Sequence, residues 1–148
     1  MSRTKNRVEI LHGVNLDMLA RRDPEHYGGL SLQELQVLIR RFAHEMDLEV
    51  AFFQTNHEGE FCEYLHRLPE RADAALLNLG AWSHYSWAIR DALEIAAVPA
   101  VEVHLSDVGS REKWRRHSVL EGLVAATISG KGTEGYREGL EVLNRELA

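Results

Sequence analysis

Short apolar runs alternate with amphipathic stretches from one end of this chain to the other, and that alternation restricts the fold more than any other feature. Residues 8–13 (VEILHG) read as a strand. Residues 31–46 read as a helix opened by Ser31 with Glu34 three positions later, a capping box. A strand over 48–55 precedes a helix over 58–72, with Pro69 near its end. The run AALLNLG (74–80) is almost wholly apolar, as a strand buried on both faces must be. A helix over 84–97, a strand over 100–106, a short helical stretch over 111–117, a strand over 123–130 and a helix over 134–147 complete the series. Between the first strand and helix, ARRDPEHYGG (20–29) reads as a loop, because Pro24 restricts Asp23 and the glycine pair permits turns.

Five strand–helix pairs in 148 residues imply one domain, 1–148, with no linker or repeat. The expected fold is α/β: a flavodoxin-like, doubly wound, five-stranded parallel sheet with helices on both faces and right-handed crossovers. Ligands of such sheets bind outside the carboxyl ends of the strands. The polar residues gather at those ends: Asn15 after the first strand, Asn56 and His57 after the second, Asn78, Ser83 and His84 at or after the third, His104 and Ser106 at the fourth.

Composition narrows the partners. A net charge of −6 gives no basic face for nucleic acid or an anionic membrane, while local arginines remain free to capture small anions. Cys62 is the single cysteine, which excludes an internal disulfide and reads as a half-buried helix residue in a reducing compartment. The basic N-terminus MSRTKNR is followed by strand-like VEIL, so it is not read as a signal peptide, and no run is long enough to span a membrane. The expected location is the cytoplasm.

Glu102 and His104, two apart on a strand, share a face. A carboxylate beside an imidazole suits a general acid or base, and it equally suits a structural hydrogen bond; the strand-end position favours function. Asn78 ends a buried strand and needs a partner, for which a local backbone cap is the plain alternative. His57 reads as an exposed residue beside Glu58. Arg111 and Arg115 stand four apart, on one face if helical, and matter only if that stretch folds over the same edge. The eight histidines form no HxxxH or HExxH pair, so no metal is expected. A flavin or nucleotide would call for a short Gly/Ser/Thr-rich first loop; here that loop is long and holds Met18, Leu19, Arg21 and Arg22.

The stretches LHGVNLDMLARRDPEHYGG, QTNHEGE, LLNLGAWSHYSWAIRDAL, VEVHLSDVGSREKWRRHS and ISGKGTEGY follow one another in the order and spacing of type II 3-dehydroquinate dehydratases, and the resemblance covers essentially the whole chain. It implies cofactor-independent loss of water from 3-dehydroquinate in the shikimate pathway or in quinate breakdown, and a homododecamer built as a tetramer of trimers. By motif, Tyr27 resembles the base that takes the C2 proton, and Arg22 the loop arginine that keeps it ionised. A phenol ordinarily titrates near about 10, so such a base needs cations beside it. Asn15 would hold the water that stabilises the enolate, and His104, oriented by Glu102, would protonate the departing hydroxyl. Asn78 and the backbone at Leu105 and Ser106 match the carboxylate-binding positions. His84 and Arg115 match groups that bind ring hydroxyls, Arg111 matches a nearby motif arginine, and Asp91 resembles an acid that reaches a neighbouring subunit's site. Arg21 reads as a surface charge, and Gly28 and Gly29 as hinges of a lid.

Several positions depart from the family pattern: Val14, Leu79, Ala20, Asp107, Gly109, Ser110, and the bulky Tyr85 and Trp87. They keep open two alternatives, a lyase of the same mechanism acting on a related hydroxy-keto cyclohexane carboxylate, and a non-catalytic protein binding a small carboxylate.

Overall fold

The computed structural model describes residues 5–148, so the first four residues of the basic N-terminal stretch lie outside the described residues. The strands are β1 (Arg7–His12), β2 (Glu49–Gln54), β3 (Ala74–Asn78), β4 (Ala100–His104) and β5 (Ala126–Ser129). They form one parallel sheet in the order β2-β1-β3-β4-β5, the doubly wound arrangement expected from the strand–helix succession. The helices are α1 (Pro24–Tyr27), α2 (Leu32–Glu45), α3 (Glu58–His66), α4 (Trp87–Ala96) and α5 (Glu134–Leu147).

Strand alternation divides the core into two layers. Val8, Ile10, Leu76, Val101 and Val103 pack with α2 and α5. Leu11, Ala75, Leu77 and Ala100 pack with α3 and α4. The same parity carries to the carboxyl edge, where Glu102 and His104 follow Ala100 on the α4 side and Asn78 follows Leu76 on the α5 side.

Several sequence-derived boundaries shift, each for a local reason. The stretch read as an open loop is helical: a tight turn over Leu16–Arg21 is pinned by buried Leu16 and Leu19, and α1 begins at Pro24 behind an Asp23 cap. Helix α3 stops at His66, and a tight turn over Leu68–Glu70 takes Pro69, which cannot continue the ladder. Residues 84–97 are not one helix: Gly80–His84 form a tight turn, and α4 starts at Trp87 because the Ser86 hydroxyl caps Ile89 N–H. Residues 111–117 contain only a tight turn over Lys113–Arg116, so the four-residue face of Arg111 and Arg115 does not exist as a helix face. Strand β5 is limited to 126–129 because Leu123 and Val124 belong to turns hydrogen-bonded to Leu120 O. The capping box at Ser31 and Glu34 is present in full.

The ends of β1 and β3 meet very closely. A β-carbon on Gly13 would lie 2.3 Å from the Leu79 carbonyl oxygen, and one on Gly80, at φ +63°, would lie 2.6 Å from Val14 O. Only glycine permits that contact, which sets Asn15 beside Asn78 at the mouth of a cavity.

Candidate active site

The cavity opens at the carboxyl edge of the sheet and is lined by Asn15, Arg22, Tyr27, Asn78, His84 and His104, closed further by Leu105, Ser106, Arg111 and Arg115. Glu102 lies behind His104. Asp91 alone among the expected site residues stands apart, on the exposed side of α4. His57 is exposed, as read from the sequence, and Cys62 is half-buried on α3.

On β4, His104 Nε2 lies 2.7 Å from Glu102 Oε2, and the carboxylate accepts, so that nitrogen carries the hydrogen. Glu102 Oε1 also accepts from Ser118 Oγ at 2.6 Å and from Thr127 Oγ1 at 3.4 Å. Burial alone would push the Glu102 carboxyl up, but hydrogen bonds from His104, Ser118 and Ser83 outweigh it and hold the group below its ordinary range. His104 Nδ1 forms no hydrogen bond among the described residues and is the ring nitrogen left for a ligand. The plain alternative of a structural pair is thus only half met, since the ring lines the cavity.

His84 stacks near His104, with centroids 6.0 Å apart. Its Nδ1 donates to His117 O at 2.7 Å, which leaves Nε2 as a lone-pair acceptor. Burial lowers the pKa of this ring and keeps it neutral. Trp114 meets it edge-on at 5.4 Å, and Arg115, tied to Glu112 at 2.8 Å, lies over Trp114.

Opposite this group stands Tyr27, the last residue of α1. Arg22 Nη2 donates to its Oη at 2.6 Å, and Arg111 Nη1 donates to the same oxygen at 2.7 Å. The Arg22 guanidinium also lies 4.2 Å from the ring centre. Two cations on one phenol oxygen stabilise negative charge there. Arg111 additionally reaches Ser106 Oγ at 3.2 Å, so it ties the Tyr27 segment to the loop after β4. The motif spacing placed Arg111 near the site but not on the phenol; its partner lies 84 positions away.

Asn15 adopts a left-handed conformation at φ 69°, tolerated by asparagine and held by a 2.8 Å hydrogen bond from its N–H to Asn56 Oδ1. Asn56 in turn donates to Asp17 at 3.1 Å, so the residue after β2 positions the one after β1. Asn78 does make the backbone cap weighed above, accepting from Gly80 N–H at 3.2 Å, yet it also donates to Tyr136 Oη at 3.0 Å. Sequence reasoning missed Tyr136 and His12. The signal available was a tyrosine phenol at a core position of α5, which must find a partner.

Among the described residues no three His, Cys, Asp or Glu side chains gather as a metal-ligand set, and no helix is long and apolar enough to cross a membrane.

The chain as a whole has counterparts among known proteins. A family model described as Dehydroquinase class II matches residues 6–144. The chain is 47% identical over 135 residues to a 3-dehydroquinate dehydratase of Syntrophotalea carbinolica, covering 90% of this chain and 91% of that one. It superposes on the type II dehydroquinase of Propionibacterium acnes with a TM-score of 0.89 at 35% identity, over 97% of this chain and 99% of that one. The type II dehydroquinase of Butyrivibrio crossotus gives a TM-score of 0.90 at 33% identity, over 95% and 99% of the two chains. With its fold and nearly its whole length matched, this protein belongs to the class II dehydroquinase family.

Proposed function

We propose that the protein dehydrates 3-dehydroquinate to 3-dehydroshikimate by anti elimination through an enolate. The observation that carries this reading is the pairing, across one cavity, of a phenol held by two guanidiniums with an imidazole held by a carboxylate. Tyr27 Oη, as phenolate, takes the C2 proton; the electron pair moves into the ring ketone to give an enolate. Asn15 holds the water that stabilises that enolate. His104 Nδ1 then delivers a proton to the C1 hydroxyl, the C1–O bond breaks, and water leaves as the enone forms. The Glu102 carboxylate compensates the positive charge of the ring before it gives up that proton. Two groups of different character divide proton removal and proton delivery, as a neutral-pH elimination requires. Asn78 and the backbone at Leu105 and Ser106 receive the substrate carboxylate, and His84 and Arg115 the ring hydroxyls.

The altered-substrate alternative has little to stand on: Tyr85 and Trp87 are 59% and 56% exposed and do not line the cavity. With Ile95 they give the α4 side an exposed apolar surface around Asp91, which fits the tetramer-of-trimers assembly and a role for Asp91 at a neighbouring site. Sedimentation tests the assembly. Adding 3-dehydroquinate and following enone absorbance tests the reaction; a flat trace at high enzyme concentration refutes it, and ligand binding without turnover would indicate the non-catalytic alternative.

A further inference from the structure

Beneath the cavity, on the α5 side of the sheet, lies a buried polar chain that the proton transfers do not use. His12 ends β1 directly opposite Asn78 at the end of β3. Both reach Tyr136 of α5, whose Oη lies 2.9 Å from His12 Nε2 and 3.0 Å from Asn78 Nδ2. His12 and Tyr136 are fully enclosed, and Asn78 is 4% exposed.

The direction of each hydrogen bond follows from counting protons. Burial lowers the His12 pKa to about 4 and raises that of Tyr136, so near neutral pH both are uncharged. Asn78 Oδ1 accepts from Gly80 N–H, which makes its amide nitrogen the donor to Tyr136. Tyr136 Oη accepts that hydrogen, and its own proton has His12 Nε2 as acceptor. The imidazole proton then sits on Nδ1, a buried atom with no partner. The other tautomer would aim two donors at the phenol oxygen and leave both the phenol proton and the Nδ1 lone pair unpaired. One unsatisfied group is cheaper than two. The chain therefore runs one way, from Asn78 through Tyr136 to His12, and it leaves Asn78 one N–H that is not used inside the protein.

We infer that His12 and Tyr136 are positioning residues that lock the Asn78 amide with a donor facing the cavity, where it meets the carboxylate of the substrate. The last step rests on the dehydratase reading; the lock itself rests on the hydrogen-bond chain. Gly80 N–H holds the amide oxygen from one side only. Without the Tyr136 acceptor, or without His12 to take the Tyr136 proton, the second anchor on the amide nitrogen is lost, and an amide that turns aims its oxygen at the anion it should bind.

Calorimetric binding of 3-dehydroshikimate and of its primary carboxamide separates these roles. The acid needs the donor, whereas the neutral amide accepts either orientation. Tyr136→Phe and His12→Phe each keep ring bulk while breaking the chain. Each is expected to weaken acid binding about tenfold or more, with carboxamide binding changed less than about threefold. The double variant should be no weaker than the worse single one, because both act through one group. His12→Gln supplies an acceptor for the phenol and should restore acid binding. In turnover, KM for 3-dehydroquinate rises in parallel and kcat moves less than about threefold.

Unchanged acid binding in Tyr136→Phe overturns the inference, and so does equal weakening of acid and carboxamide, which marks a merely structural role. If the wild-type protein fails to turn over 3-dehydroquinate, the dehydratase reading falls, while the acid–carboxamide difference still decides the lock.

Discussion

The two faces of the sheet hold polar groups at the same depth, yet they solve the problem of burial differently. On the α4 side, Glu102 keeps its charge because His104, Ser118 and Ser83 supply hydrogen bonds that outweigh desolvation. On the α5 side burial outweighs the one opposing hydrogen bond, from Asn78 to Tyr136, and His12 and Tyr136 stay neutral. Charge survives burial only where donors compensate it. In the proposed mechanism the charged face therefore moves protons, while the neutral face only orients a group.

The sharpest way to break this contrast is to compare His104→Ala with Asn78→Ala in steady-state kinetics. The first should lower kcat by about 10²–10⁴-fold, as loss of a general acid does. The second should act mainly on KM, and similar kcat losses in both would erase the distinction. The next effect is on stability. As pH falls, the unfolded chain protonates His12 near its ordinary 6.5, whereas the folded protein resists until about 4. Folding stability should thus be full above about 6.5 and decline by roughly 3 kcal/mol on the way to about 4. Denaturation midpoints measured across that window should flatten in His12→Phe. Glu102 has a dependence of the same sign in a more acid window: its folded pKa is also depressed, so its contribution is present above the ordinary carboxylate pKa and is lost as pH falls below it. Arg22→Ala and Arg111→Ala each remove one of two donors to Tyr27 and should cost about 10–100-fold in kcat, with additive losses arguing against a shared oxygen. The smallest effect belongs to Ser118→Ala, about 1 kcal/mol of stability from one hydrogen bond to Glu102.

Much of this architecture was legible in the chain. The apolar runs located all five strands, and strand periodicity put Glu102 and His104 on one face. Element ends were legible only where a local signal decides them, as at Ser31; at Ser86 the capping serine was read as helix interior, so α4 was started too early. The lid was read as irregular because Pro24 and the glycines dominate its composition, although Leu16 and Leu19 supply the apolar anchors of a helical turn. Contacts with no local periodicity were illegible. Nothing near Tyr136 announces His12, 124 positions away, and nothing near Arg111 announces Tyr27.

That last contact has a consequence of its own. The phenol takes one guanidinium from five residues away and the other from a different loop, each within 2.7 Å. Displacing either loop removes one of the two guanidiniums from the phenol oxygen. In the proposed mechanism that oxygen works as a coincidence detector: both of its cationic partners are in place only when both loops are seated, so the reagent and the closed mouth of the cavity arrive together.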